Sequence, residues 1–258
     1  MSESDWNAVA YDDLSDPMFE WGSAVLGTLE LKGDERVLDA GCGSGRLTEV
    51  LLGRLPSGSV VALDSSPKML EQARVRLERY GARVEFVHAS LEEFELPTPV
   101  DGIYSNAVFH WVPDHAMMFR ALHGALKPGG WLVAQFGGIG NLAKTLRRAK
   151  DVAQSARFRA DLKEFETGPH FEDVASTRER MALAGFQVHE AKLHTVVPRF
   201  ERKERYEAFL ETVILHRPMA NLPETLRREF LEEVSRKTLL EEGAYTLDYV
   251  RLTVRASA

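Results

Sequence analysis

Short apolar runs alternate with amphipathic stretches along the first half of the chain. The runs at 36–39, 59–64, 84–88, 101–105 and 131–136 are rich in Val, Leu, Ile, Ala and aromatic residues. Their length and composition predict strands, most of them buried on both faces. Between them, apolar residues recur at three- and four-residue spacing. This predicts helices over 44–55, 67–80 and 114–126, with a short turn or helix at 90–94 and a Lys-Pro-Gly-Gly turn at 127–130. A further helix is expected from Pro17 towards Leu29, with Asp16 as its N-cap. Alternation of this kind predicts an α/β fold built on a doubly wound, mainly parallel sheet, with ligands outside the carboxyl ends of its strands.

After the glycines at 137–140 the pattern changes. A charged helical stretch covers 141–165, and a helix over 171–184 ends at Gly185, a plausible C-cap. A strand at 186–197, amphipathic helices at 203–215 and 223–241, and a last alternating strand at 245–254 complete the chain. The 258 residues fit one large α/β domain or a core with a modest insertion, and no internal repeat or interdomain linker stands out.

Charge and composition narrow the partners. A formal net charge of −7 argues against general affinity for nucleic acid or anionic membranes. The hydrophobic content of 44% allows a full core. No basic-then-apolar leader opens the sequence, and the longest uncharged stretch, 128–143, is glycine-broken and too short to span a bilayer. The single cysteine, Cys42, points to a reducing, cytoplasmic setting and reads as a small filler. A monomer or a homodimer is expected, and no cluster suggests a metal site.

The chemistry is concentrated in Val37-Leu-Asp39-Ala-Gly41-Cys-Gly43-Ser-Gly45. An apolar run ends in an acid and enters a glycine turn that opens a helix. Glycine lets backbone approach a ligand closely. A pyrophosphate loop would place no carboxylate at that strand end, because it would repel the phosphates. Asp39 suits a ligand carrying an ammonium group and a sulfonium. The run Val60-Val-Ala-Leu-Asp64 gives a second strand ending in an acid, suited to ribose hydroxyls.

This pair resembles motif I and the following acidic strand of class I S-adenosylmethionine (SAM) dependent methyltransferases. The run from Asn106 to His115, Asn-Ala-Val-Phe-His-Trp-Val-Pro-Asp-His, together with Trp6, Tyr11 and the Lys-Pro-Gly-Gly turn, resembles the trans-aconitate methyltransferase group of small-molecule methyltransferases. The resemblance implies a seven-stranded Rossmann-like sheet closing in an antiparallel pair at its edge. It also implies a lid segment and helix at 1–30, a SAM-binding core at 31–138, and helical cap insertions at 139–185 and 198–243. SAM is the implied cofactor, with S-adenosylhomocysteine as product. Asp39 would accept hydrogen bonds around the methionine portion, and Gly41 and Gly43 would admit the ligand. Asp64, followed by Ser65, would hold the ribose hydroxyls, and Met69 would pack on the adenine or simply belong to the helix core. Ala89 would offer its backbone amide to the adenine ring. Ser90 stands where the family often has an acid and would accept from the adenine amino group. Tyr11 would reach the cofactor from a segment that folds over it, and Asn106 and Trp111 would shape the pocket.

An ionised carboxylate acceptor needs no general base, and a hydroxyl or carbon acid does. His110 is the candidate base, or else a wall residue beside the cofactor. Cationic or hydroxyl partners for an acceptor carboxylate would come from His170, Arg199, Arg217, Arg157, Tyr11 or Tyr245. Asp114 and His115 are expected to cap the next helix. Three other functions stay open: methylation of RNA or another nucleic acid, a NAD-dependent oxidoreductase, and a non-catalytic SAM-binding protein. The dinucleotide fingerprint places its third glycine five residues after the first, whereas Gly45 follows Gly41 by four.

Overall fold

The computed structural model describes residues 16–162, 165–220 and 222–258. The expected contacts of Trp6 and Tyr11 lie outside these residues. The chain runs α1 (Asp16–Gly27), β1 (Arg36–Ala40), α2 (Arg46–Gly53), β2 (Ser59–Asp64), α3 (Pro67–Leu77), β3 (Val84–His88), β4 (Val100–Asn106), α4 (His115–Gly124) and β5 (Leu126–Gly137). It continues through α5 (Ala143–Ala153), α6 (Val174–Leu183), β6 (Gln187–Val196), β7 (Arg199–Phe200), α7 (Lys203–Phe209), α8 (His216–Met219), α9 (Glu224–Glu242), β8 (Tyr245–Thr246) and β9 (Tyr249–Ser257).

Seven strands form one sheet in the order β3-β2-β1-β4-β5-β9-β6. The first five are mutually parallel, and β9 is antiparallel to both β5 and β6. The antiparallel pair therefore closes this edge, with β9 inside and β6 outermost. The chain reverses its direction of winding between β1 and β4, which makes their carboxyl ends the place for a ligand.

Two apolar layers cover the sheet. Leu26, Leu51, Leu52, Leu70 and Leu77 pack one face, and Phe109, Phe119, Phe136, Met181 and Phe186 pack the other. A third cluster joins α5, α7 and α9 through Val152, Phe158, Tyr206, Phe209, Phe230 and Val234. This is a separate helical core above the carboxyl ends. The helix α6 does not join it: Met181 is buried against the sheet layer with Phe119 and Phe186.

One feature ties the cap to the sheet and another binds two helices of the cap together. The carboxylate of Asp248 accepts from the amides of Lys144 (2.7 Å) and Thr145 (3.0 Å) and from the Thr145 hydroxyl (2.7 Å), closing the first turn of α5. Arg148, fully buried on α5, pairs with Glu241 at 2.8 Å and with Glu242, both on α9.

The helical stretch expected over 141–165 ends at Ala153, and sequence and structure part at three further places. The 127–130 turn is drawn into β5 as an irregular extension: Leu126 pairs with Val100, and Trp131 already with Gly102. Ala258 bonds both sides of this kink, accepting from Gly129 (3.1 Å) and donating to Gly130 (2.9 Å). The 67–80 helix stops at Leu77 and gives way to 3-10 turns as far as Arg83, broken by a kink at Gly81, whose φ is 53°. The last strand is cut in two at Leu247 and Asp248. Its first piece pairs with β7, and Asp248 turns away to cap α5. Among the described residues no helix is long and apolar enough to cross a membrane.

Candidate active site

The carboxyl ends of β1, β2 and β4 open into a cleft of about 1190 Å³. Asp39, Gly41, Gly43, Asp64, Ser65 and Met69 line it, as do Ala89, Ser90, Asn106, Trp111, His170 and Arg217. The strand-end residues singled out in the sequence are thus brought together.

The glycine turn works through different constraints at its first two positions. Gly41 has φ 87°, and a Cβ there would sit 2.3 Å from a Val108 methyl, so this glycine admits the loop after β4 rather than a ligand. Gly43 has φ 54° and open space where a Cβ would stand, and it faces the cleft. Its amide donates to Asp64 Oδ2 at 2.8 Å, while Ser66 donates to Asp64 Oδ1 at 2.9 Å. Asp64 therefore braces both loops and keeps further lone pairs on each oxygen.

Asp39 is buried, and its Oδ2 accepts from the Thr48 hydroxyl at 2.6 Å. Burial pushes its carboxyl up to about 7, with the Thr48 bond working against this and the nearby Asp64 adding to it. Burial also raises Asp64, against the hydrogen bonds from Ser66 and Gly43. Two acids with elevated affinity for protons, on one cleft wall, favour a cationic or hydroxyl-bearing occupant. Asn106 donates to the Met18 carbonyl at 3.1 Å, but its buried Oδ1 has no hydrogen-bond partner. An orphaned acceptor here fits an ammonium group. Ala107, next along, has φ 61°, a strained conformation for a residue with a Cβ.

The third strand end differs from expectation. The Ala89 amide donates to the Asp64 carbonyl at 3.2 Å and extends the β2–β3 ladder, so it is engaged. Ser90 Oγ donates to Glu92 Oε2 at 3.2 Å, and Glu92 Oε1 accepts from the Asp114 amide at 2.9 Å. Glu92 lines the cleft. Two residues after Ser90 the chain thus places a carboxylate in the cleft. A Ser-x-Glu spacing just after a strand is the signal that could have found it.

Beside the cleft lies a smaller chamber of about 50 Å³, sharing Met18, Ala107 and Trp111 with it. His110, Asn141, Phe171, Tyr249 and Arg251 line the rest of its wall together with residues of the cap. His110 is buried, and its Nδ1 accepts from the Gly137 amide at 3.2 Å. That bond leaves the ring proton on Nε2. Burial, then the charge of Arg251, hold the imidazole well below its usual range. Neutral His110 is therefore a donor at Nε2, and its only basic nitrogen is occupied. Asp114 caps α4 as expected, accepting from Met117 at 2.9 Å, whereas the His115 ring bonds the Phe109 carbonyl at 2.8 Å.

Among the cationic candidates, His170 and Arg217 reach the cleft, and Arg217 lies 5.1 Å over the Trp111 ring. Arg199 and Tyr245 do not line the cleft or the chamber. They stand in the β7–β8 ribbon, where Tyr245 stacks on Tyr206 at 5.5 Å. Arg157 pairs with Glu229 at 2.7 Å on the surface. The cation that the sequence did not reveal is Arg251. It alternates along β9 with Leu252, Val254 and Ala256 on the other face and reads as solvated, yet it is 1% exposed because the cap covers that end of the strand.

Residues 37–130 match the family model described as "Methyltransferase domain". The relatives are more particular. The trans-aconitate 2-methyltransferase of Rhodopseudomonas palustris (strain BisB18) is 38% identical over 132 residues, which are 51% of this chain and 50% of that protein. The same enzyme of Methylobacterium radiotolerans is 37% identical over 158 residues, covering 61% of this chain and 58% of that protein. The chain spans about half the length of these curated relatives. Among solved structures, an S-adenosylmethionine dependent methyltransferase of Mesorhizobium loti superposes with a TM-score of 0.55 at 23% identity, over 94% of this chain and 99% of that one. That likeness concerns the fold.

Proposed function

We propose that this chain transfers the methyl group of SAM to a small-molecule acceptor, and that the acceptor is a carboxylate. The observation that carries the proposal is the pairing of two proton-retaining acids, Asp39 and Asp64, with the orphaned Asn106 Oδ1 on one wall of a cleft that adjoins a smaller chamber. SAM would supply an electrophilic methyl on a sulfonium. Asp39 and Asn106 Oδ1 would face its ammonium end, Gly43 and Ser65 its backbone-lined flank, and Asp64 the ribose hydroxyls. Met69, nearly buried on α3, would offer an apolar surface to the adenine, and Ser90 with Glu92 would accept from its amino group.

The chain's own contribution would be alignment and exclusion of water. Residues 31–138 would form the cofactor-binding core. The segments 139–185 and 198–243 would form the cap, with Val174–Leu183 returned to the sheet face. The carboxylate preference rests on His110. With Nδ1 occupied and Nε2 protonated, it would position an acceptor by donating a hydrogen bond rather than by removing a proton. The trans-aconitate relatives support the same acceptor class by their names.

The test is calorimetry with S-adenosylhomocysteine, followed by transfer of labelled methyl from SAM to a panel of acids, alcohols and amines. Binding of the product with label on an acid is expected. Binding of NADH with none of S-adenosylhomocysteine would overturn the proposal.

A further inference from the structure

On the methyl-transfer proposal above, one residue of the chamber selects the acceptor. We propose that Arg251 is the specificity-determining residue of the chamber: it binds a carboxylate at the end of the acceptor remote from the reacting oxygen, so the preferred substrate is a small acid with two or more carboxylates.

Arg251 stands on β9 opposite Gly137 of β5, and β9 is two strands from β4, whose end forms the mouth shared by cleft and chamber. Neighbouring strands lie about 4.8 Å apart, so its backbone is roughly 10 Å from the β4 ladder. The methyl donor is expected at the β4 end. A guanidinium rooted on β9 thus meets the opposite end of a bound acceptor.

Burial and chemistry follow. Arg251 is 1% exposed and lines the chamber with His110 and Asn141. Its Nε and one terminal nitrogen lie 3.4 Å from the side-chain and backbone oxygens of Gln135. Its guanidinium carbon lies 5.4 Å over the centre of the Trp21 ring. Asn141 Oδ1 accepts from the Val250 amide at 2.9 Å, so this side chain presents its amide as a donor. With the Nε2–H of His110, this part of the chamber wall presents a guanidinium and two neutral donors. Such a set suits a carboxylate and offers no group to deprotonate an alcohol.

The step balances without a proton transfer. A second carboxylate oxygen of the acceptor forms the new O–CH3 bond as the S–CH3 bond breaks, the bonding pair staying on sulfur. The products are a monomethyl ester and S-adenosylhomocysteine.

The experiment uses the full chain saturated with S-adenosylhomocysteine. Calorimetry would measure binding of trans-aconitate, of a monocarboxylate of similar size, and of the neutral trimethyl ester. Methyl transfer from SAM would be measured in parallel, for wild type, Arg251→Lys and Arg251→Gln. For wild type, tight binding of the polyacid and at least tenfold weaker binding of the monoacid are expected, which needs no variant to fold. Arg251→Gln should weaken polyacid binding and raise its KM about 30-fold, a charged hydrogen-bond loss, with kcat within about threefold and affinity for S-adenosylhomocysteine unchanged. Arg251→Lys should recover part of the loss. Equal binding of monoacid and polyacid by wild type, or a loss in Arg251→Gln shared by all acceptors, would overturn the role of Arg251. If wild type binds no acid yet methylates a neutral acceptor, Arg251 loses this role while methyl transfer stands. If polyacid binding depends on Arg251 but no methyl is transferred, the anion site stands and the methyl-transfer proposal fails.

Discussion

At the scale of single residues, Asp39 carries the most consequence. Its carboxyl is held up to about 7 by burial, so the folded chain keeps a proton that the unfolded chain releases near 4. The ligand-free fold therefore loses stability as pH rises from about 4 through 7. An Asn at this position removes that cost and leaves an oxygen for Thr48. Asp39→Asn should raise ligand-free stability at pH 8 by on the order of 2 kcal/mol, seen as a thermal midpoint several degrees higher, with the difference closing towards pH 4. The same variant should bind S-adenosylhomocysteine at least tenfold more weakly, because it cannot ionise beside an ammonium. In wild type that affinity should fall as pH drops below 7, by up to tenfold per unit, with proton release detected by calorimetry in buffers of different ionisation enthalpy. His110 makes the converse prediction. It is neutral well below its usual range, so kcat/KM for a carboxylate acceptor should show no histidine limb between pH 6.5 and 9. A limb near 6.5 lost in His110→Gln would restore it as a base.

At the scale of elements, the strands before β5 and the turn at Gly41 were legible in the sequence because buried parallel strands leave uninterrupted apolar runs bounded by glycine. The 127–130 turn was not: Lys-Pro-Gly-Gly has local turn chemistry, and pairing with β4 and bonds from Ala258 override it. The division of the last strand was hidden for a related reason. Asp248 looks like an ordinary polar position, but its partners on α5 lie about a hundred residues earlier in the chain. Removing a helix N-cap costs about 1–2 kcal/mol, and this one also anchors the cap. Asp248→Ala should lower stability in urea by about that amount, and a fall below about 0.3 kcal/mol would mean that water caps α5 equally well.

At the scale of the whole molecule, a binding sheet and a helical cap with its own apolar core meet over the chamber. The sheet half of the site was readable because its residues sit at strand ends in a fixed order. The cap half was not. Arg199, Arg157 and Tyr245 carry suitable chemistry, but tertiary packing sends them to a ribbon and to the surface. Arg251 was concealed by a strand pattern whose polar face is covered only at one end. The separation of the two cores has a measurable consequence. Phe230 is fully buried in the cap core, and truncating such a ring costs about 3–5 kcal/mol. Phe230→Ala should raise the KM for acceptor strongly while leaving affinity for S-adenosylhomocysteine within about twofold. Equal losses of both would show that cap and cofactor cleft fold as one unit.

The central claim is methyl transfer to a carboxylate, and the fate of the label tests it most directly. The protein would be incubated with methyl-labelled SAM and a polycarboxylic acid, and the isolated product treated with mild alkali. Release of the label as volatile methanol is predicted, since only an ester yields it. Alkali-stable label, or no labelled product from a protein that binds both ligands, would contradict the claim.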